Sequence, residues 1–176
     1  SQDKSYTATI RLGAHTPCLD AELPVDKWVD ADHLQRQAIE QAVAAMRGVV
    51  QQLPPLYSAK KVNGQKAYAV ARKGGEIELK RASIEIKKIE ICAVRHLEVD
   101  GHSVVDVEVN IDCTKGTYIR SIARDLGETL GVGGHLVALH RTLNGPFPIA
   151  DCMQLTDLIQ AIESLPQDDN EVTVDL

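Results

Sequence analysis

Between residues 103 and 130 the hydrophobic period switches once, from two to about 3.6, and that switch limits what the chain can build. Val105, Val107, Val109 and Ile111 alternate with Asp106, Glu108, Asn110 and Asp112, the pattern of a strand with one buried face. Beyond Gly116 the apolar residues recur as Ile119, Ile122, Ala123, Leu126 and Leu130, the spacing of an amphipathic helix, and Gly131 supplies a stop. The run between them is Cys113-Thr114-Lys115-Gly116-Thr117-Tyr118-Ile119-Arg120. It is expected to point Lys115, Tyr118 and Arg120 out from a strand end and a helix N-terminus, where free amides and the helix dipole favour anions. A cation, an aromatic face and a guanidinium gathered there suit a nucleotide, with phosphate neutralised and base stacked. Taken alone, the same run also fits a plain turn carrying a half-buried Tyr.

The rest of the chain alternates in the same legible way. Residues 5–12 read as a strand through Tyr6, Ala8, Ile10 and Leu12, and 13–29, with Pro17 and Pro24, as irregular. Asp30 can cap a helix running to Val50, with Leu34, Ala38, Ala42, Ala45 and Val49 on its apolar side. Leu53-Pro54-Pro55-Leu56 ends it and feeds an extended piece into Tyr57. A short helix is expected over about 65–73, closed by Gly74-Gly75. Residues 82–99 and 103–113 read as strands joined by the hairpin signal Asp100-Gly101. A turn at Asn144-Gly145-Pro146, a last helix near 157–163 and an acidic, frayed tail over 166–176 complete the reading. Long strands, a hairpin and separate helices without internal repeats predict an α+β fold.

With 176 residues, 44% of them hydrophobic, the chain can bury one core. No apolar run approaches the ~18 residues a membrane span needs, and charges run throughout residues 1–30, so neither a membrane segment nor a signal peptide is expected. Four cysteines lie far apart without Cys-x-x-Cys, and six histidines show no metal-ligand spacing. The plain reading is a reduced, cytoplasmic protein without metal. The net charge of −6 conceals a segregation: residues 57–95 hold ten Lys/Arg against four Asp/Glu, whereas 149–176 hold seven acids and no Lys or Arg. A basic middle with acidic flanks fits either a polyanion tracked along one face or a solvated basic surface.

Three stretches bring the reading to a family. They are Pro55-Leu56-Tyr57-Ser58-Ala59-Lys60-Lys61-Val62-Asn63-Gly64 with Tyr68-Ala69-Val70-Ala71-Arg72; Lys115-Gly116-Thr117-Tyr118-Ile119-Arg120 with Asp125-Leu126-Gly127; and Gly134-His135-Leu136, Leu139, Arg141-Thr142 and Gly145-Pro146-Phe147. In that order and spacing the chain resembles the TruB family of bacterial tRNA pseudouridine synthases over about residues 5–160. Arg11-Leu12-Gly13, Thr16 and Asp20 also resemble that family's stretch entering its helical insertion, placed here at about 30–50. Pro17 stands where an Asp is usual, and His140 replaces the first of two adjacent arginines. The family's nucleophile loop, a Gly-Thr-Leu-Asp-Pro-like motif, is expected upstream of Ser1, and Asp20 is read as an ordinary loop carboxylate. The family's small C-terminal RNA-binding domain is also missing from the reading. Residues 1–165 are then a partial catalytic domain with a pseudouridine-synthase-like, mixed but mainly antiparallel sheet flanked by helices.

The resemblance implies isomerisation of a T-loop uridine in tRNA. The bond from ribose C1′ to uracil N1 breaks, the base turns, and C1′ rejoins C5, with no cofactor and no metal. Extruding the base costs roughly a few kcal/mol, and stacking on an aromatic returns ~1–3 kcal/mol. By resemblance Tyr57 stacks on the uridine and either assists or leaves to another group the removal of the C5 proton. Tyr118 closes another wall, and Arg120 pairs with the nucleophilic Asp and holds it ionised. Leu139 lies against the base or simply in the core. Lys61, Lys115 and Arg141 are candidates for phosphate or framework contacts. Tyr68 and Arg72, four apart, share a face that supports the Tyr57 loop or touches RNA. His135 and His140 read as structural. The partner is the T-arm of tRNA, bound by a protein that is a monomer when complete. Without the nucleophile motif the chain alone is expected to be inactive. The alternative is a non-catalytic RNA-binding or scaffold protein of the same fold.

Overall fold

The computed structural model describes residues 3–56, 61–62, 65–66 and 79–144. Its centre is a five-stranded sheet in the order β4-β7-β8-β1-β9, where β1 is Lys4–Leu12, β4 Gly48–Gln52, β7 Ala82–Val99, β8 His102–Cys113 and β9 Gly134–Asn144. Every neighbouring pair is antiparallel. Among the described residues two helices, α1 (Arg36–Ala45) and α2 (Ile119–Thr129), lie against it, α1 on β7 and α2 on β9 and β1. The fold is the α+β arrangement expected, with a mainly antiparallel sheet.

The period-two pattern does what it promised. Tyr6, Ala8, Ile10 and Leu12 of β1 are buried beside Val105, Val107, Val109 and Ile111 of β8, and on α2 Ile119, Ile122, Ala123 and Leu126 close the same core. Each fully buried Ile, Leu or Val contributes about 1.5–3 kcal/mol. The opposite face of the sheet is polar and cross-linked. Ser5 Oγ donates to Asp112, Thr7 Oγ1 to Asn110, and Arg11 makes two 2.9 Å bonds to Asp106. Asp100 and Gly101, with φ of 50° and 78°, turn β7 into β8 as a two-residue hairpin whose central residues are both left-handed.

Three expectations change. The helix expected from Asp30 to Val50 is confined to Arg36–Ala45, and its buried residues are Ile39, Ala42 and Val43. Asp30 instead caps a preceding turn through the Asp32 N–H. Gly48, with φ of 115°, redirects the chain, and the β-branched Val49 and Val50 then pair with Glu85 and Ile84 of β7. The irregular stretch 13–29 holds two short strands, β2 (Ala14–His15) and β3 (Lys27–Trp28), paired with each other. Trp28 stacks on His102 with ring centroids 4.3 Å apart, pinning β3 to the hairpin end. Within the expected 65–73 helix, Gln65–Lys66 form β6, paired with β5 (Lys61–Val62); the remainder lies outside the described residues, as do the turn from Gly145, the last helix and the acidic tail.

Candidate active site

Three segments converge at the first turn of α2: the loop after β2, the end of β4, and the turn leaving β8. The loop is tight. Leu19 N–H donates to Thr16 O, Thr16 Oγ1 donates to Asp20 O at 2.6 Å, and Leu19 adopts a left-handed φ of 66°. That conformation costs roughly 1–2 kcal/mol for a non-glycine residue. It is held by burial of the Leu19 side chain and by the Leu136 N–H, which donates to Leu19 O at 2.9 Å.

The loop delivers Asp20 into the interior at 1% exposure. Its Oδ1 accepts from Cys18 Sγ at 3.0 Å and from Glu22 N–H at 2.9 Å. Arg120, also buried, donates from Nη1 to Cys18 O at 3.2 Å and places that nitrogen 3.7 Å from Asp20 Oδ2. The sequence placed Arg120 outward at the helix N-terminus and Asp20 in an ordinary loop; both are turned inward and form a buried ion pair. A guanidinium taken out of water needs such partners, because the desolvation cost is several kcal/mol per ion.

The other two segments hold the turn in place. Glu85 of β7 exchanges two bonds with Thr114, its N–H donating to Oγ1 at 2.9 Å and its carbonyl accepting from Thr114 N–H at 3.0 Å. Gln52, the last residue of β4, accepts from Tyr118 N–H through Oε1 at 2.9 Å and donates from Nε2 to Tyr118 O at 3.1 Å. Leu53 O accepts from Ser121 Oγ at 2.9 Å and from Arg124 Nη2 at 2.8 Å.

Of the residues singled out from sequence, Tyr118 and Arg120 come together at the start of α2. Lys115 is exposed just beyond β8, Leu139 packs partly buried against the core, and Arg141 on β9 sits opposite Tyr6. The Lys4 ammonium is pushed below its ordinary pKa, first by burial and then by the positive charges of Arg141 and Lys115. These three cations therefore share one field. Among the described residues none of the three lies within ion-pair distance of a carboxylate. Lys61 lies on β5, and Tyr57, Tyr68 and Arg72 lie outside the described residues. Among the described residues no three His, Cys, Asp or Glu side chains gather as metal ligands. Sequence reasoning missed Gln52 and the part played by Asp20. Gln52 precedes Leu53-Pro54-Pro55, yet a Gln on a strand reads as solvent-facing unless its partner is known.

A family model described as TruB family pseudouridylate synthase (N terminal domain) matches residues 1–119, and one described as tRNA pseudouridylate synthase B C-terminal domain matches residues 120–175. The chain is 44% identical over 162 residues to a tRNA pseudouridine synthase B from Paenarthrobacter aurescens, covering 92% of this chain and 51% of that protein. It is 48% identical over 157 residues to the protein of that name from Mycolicibacterium paratuberculosis, covering 89% and 52%. The chain thus spans about half the length of the curated relatives it matches. Among solved structures, a chain of a Cbf5-Nop10-Gar1 complex superposes with a TM-score of 0.50 at 26% identity, covering 90% of this chain and 35% of that one. The strand-to-helix switch carrying Tyr118 and the buried Arg120, set in this sheet and matched over both halves of the sequence, makes the chain a member of the TruB pseudouridylate synthase family.

Proposed function

We propose that the protein carrying this chain isomerises a T-loop uridine of tRNA to pseudouridine, and that the chain supplies the arginine and aromatic part of the site. The observation that carries the reading is Arg120, buried at the start of α2 and oriented by Cys18 O and Asp20. In this reading Arg120 pairs with the nucleophilic Asp of a Gly-Thr-Leu-Asp-Pro-like loop preceding the present sequence, and keeps it ionised and aimed. In this reading Asp20 serves as a buried partner of Arg120 rather than as the nucleophile, a role supported by the engagement of its Oδ1 by Cys18 and Glu22.

The reaction conserves atoms: the C1′–N1 bond breaks, C1′ bonds to C5, and the C5 proton is lost while N1 regains one. Tyr57 stacks on the extruded base, Tyr118 walls the pocket, and Leu139 lies beside it. Lys61, Lys115 and Arg141 meet phosphates, with Tyr68 and Arg72 supporting the Tyr57 segment. The substrate contact is the T-arm, the complete protein acts as a monomer in the cytoplasm, and residues 1–165 are part of its catalytic domain, followed by an acidic segment over 166–176. No helix among the described residues is long and apolar enough to cross a membrane.

The test is tritium release from C5-labelled uridine in tRNA by the full gene product. Arg120→Ala is expected to lower kcat by about a thousandfold or more while leaving most of the tRNA affinity. Turnover like that of the wild type in this variant would refute the assignment. The chain of 176 residues alone is expected to release no tritium; release would move the nucleophile onto it and favour reconsidering its own carboxylates.

A further inference from the structure

The backbone ladder of β4 stops at Gln52, because Pro54 and Pro55 follow within three residues and have no N–H to donate. The Gln52 side chain takes over where the backbone cannot continue. A primary amide carries the same donor and acceptor as a peptide unit. Gln52 uses both on the two backbone groups of Tyr118, at 2.9 and 3.1 Å, as a neighbouring strand residue would. Tyr118 is the residue at which extended chain becomes helix: its φ and ψ are −95° and 112°, and its own side chain makes no capping bond to α2. Its N–H is one of the donors a helix start leaves over, and Gln52, itself only 3% exposed, satisfies it.

The same contact joins two parts of the site. Leu53, the next residue, accepts from Ser121 and Arg124 of α2. Four hydrogen bonds therefore tie the segment 52–53 to the turn that bears Tyr118 and Arg120. Tyr57 follows Leu53 by four residues in the sequence. We infer that Gln52 is a positioning residue for the reaction, fixing the Tyr118 backbone and so the placement of Tyr118 and Arg120 relative to the segment that leads to Tyr57. The inference rests on the pseudouridine-synthase reading above. Gln52 touches no substrate in this account and acts through Tyr118, so its loss displaces reacting groups without removing any tRNA contact.

The experiment uses the full gene product, with Gln52→Leu and Gln52→Glu assayed by tritium release from tRNA and by circular dichroism for folding. Gln52→Leu is expected to lower kcat by about 10- to 100-fold, since sub-ångström to ångström misplacement has effects of that size, with KM for tRNA within about twofold of wild type. Gln52→Glu, assayed only at pH values where circular dichroism shows it folded, supplies a readout that loss of folding does not explain. Ionised, Glu accepts from Tyr118 N–H but repels Tyr118 O; protonated, it again offers one acceptor and one donor. Burial raises a carboxyl pKa, so the ratio of its kcat to that of wild type should climb as pH falls from about 8.5 to 5.5. A flat ratio, an unchanged kcat in Gln52→Leu, or a loss confined to KM overturns the positioning role. Should Gln52→Leu fail to fold, the pH dependence of the Gln52→Glu ratio decides. Wild-type protein without tritium release overturns the reading of function and the positioning role with it, whereas active wild type with unaffected Gln52 variants overturns the positioning role alone.

Discussion

His135 on β9 is buried, and its Nδ1–H donates to Ala14 O at 2.7 Å, which fixes the neutral tautomer. Burial, partly opposed by that carbonyl, holds the imidazole below its ordinary pKa. The folded state therefore binds this proton less readily than the unfolded chain, in which His titrates near about 6.5. Its contribution to stability is fully present above that pH and is lost as pH falls below it toward the lowered folded value. Urea unfolding of the chain should give a free energy that falls between pH 7.5 and about 5, with a shallower slope in His135→Gln; equal slopes would show that His135 does not carry the effect. From sequence His135 reads as structural, but nothing local to it announces its buried carbonyl partner. Asp20 reads as an ordinary loop carboxylate for the same reason, because nothing near it in the chain announces that Arg120 is its counterion.

At the scale of elements, α2 reads from sequence almost residue for residue, yet what seats it on the sheet is a glycine. A Cβ built on Gly127 would lie 2.2 Å from Gly133 C and Gly134 N. These are backbone atoms that cannot swing aside, and the Gly127 carbonyl also accepts from the N–H groups of Val132 and Gly133. Gly127→Ala should therefore cost about 3 kcal/mol or more, beyond any gain in helix propensity. Glu128→Ala on the exposed side of the same helix should stay within about 0.5 kcal/mol. Thermal unfolding of the two variants measures both, and a Gly127→Ala protein as stable as the parent would contradict the close approach. The hairpin was legible because Asp-Gly turn chemistry is local. The end of α1 was not, because an apolar run through Val49 fits either a helix or an edge strand until β7 is there to pair with it.

For the whole molecule, the net charge of −6 understates a surface on which Lys4, Lys115 and Arg141 share one field. If Lys115 and Arg141 each neutralise one RNA phosphate, the log–log salt dependence of tRNA binding should lose about 0.7–0.9 in slope for each residue removed. Filter binding of the full gene product with Lys115→Ala and Arg141→Ala, across a salt series, gives that slope. An unchanged slope would take both residues out of the RNA contact. Affinity lost without catalytic defect would further separate these cations from the turn held by Gln52.

What the sequence determined by itself is everything that acts over a few residues: the alternation of β1 and β8, the change of period into α2, the left-handed pair at Asp100-Gly101, and the family resemblance carried by short motifs. What only the tertiary structure decided is which polar groups meet out of water. Cys18 O and Arg120 lie 102 positions apart, and Gln52 and Tyr118 lie 66 apart. The physical reason is that a buried charge or amide is set by its partner, and the partner is chosen when the sheet and α2 close on one another. Local propensity carries no record of that closure.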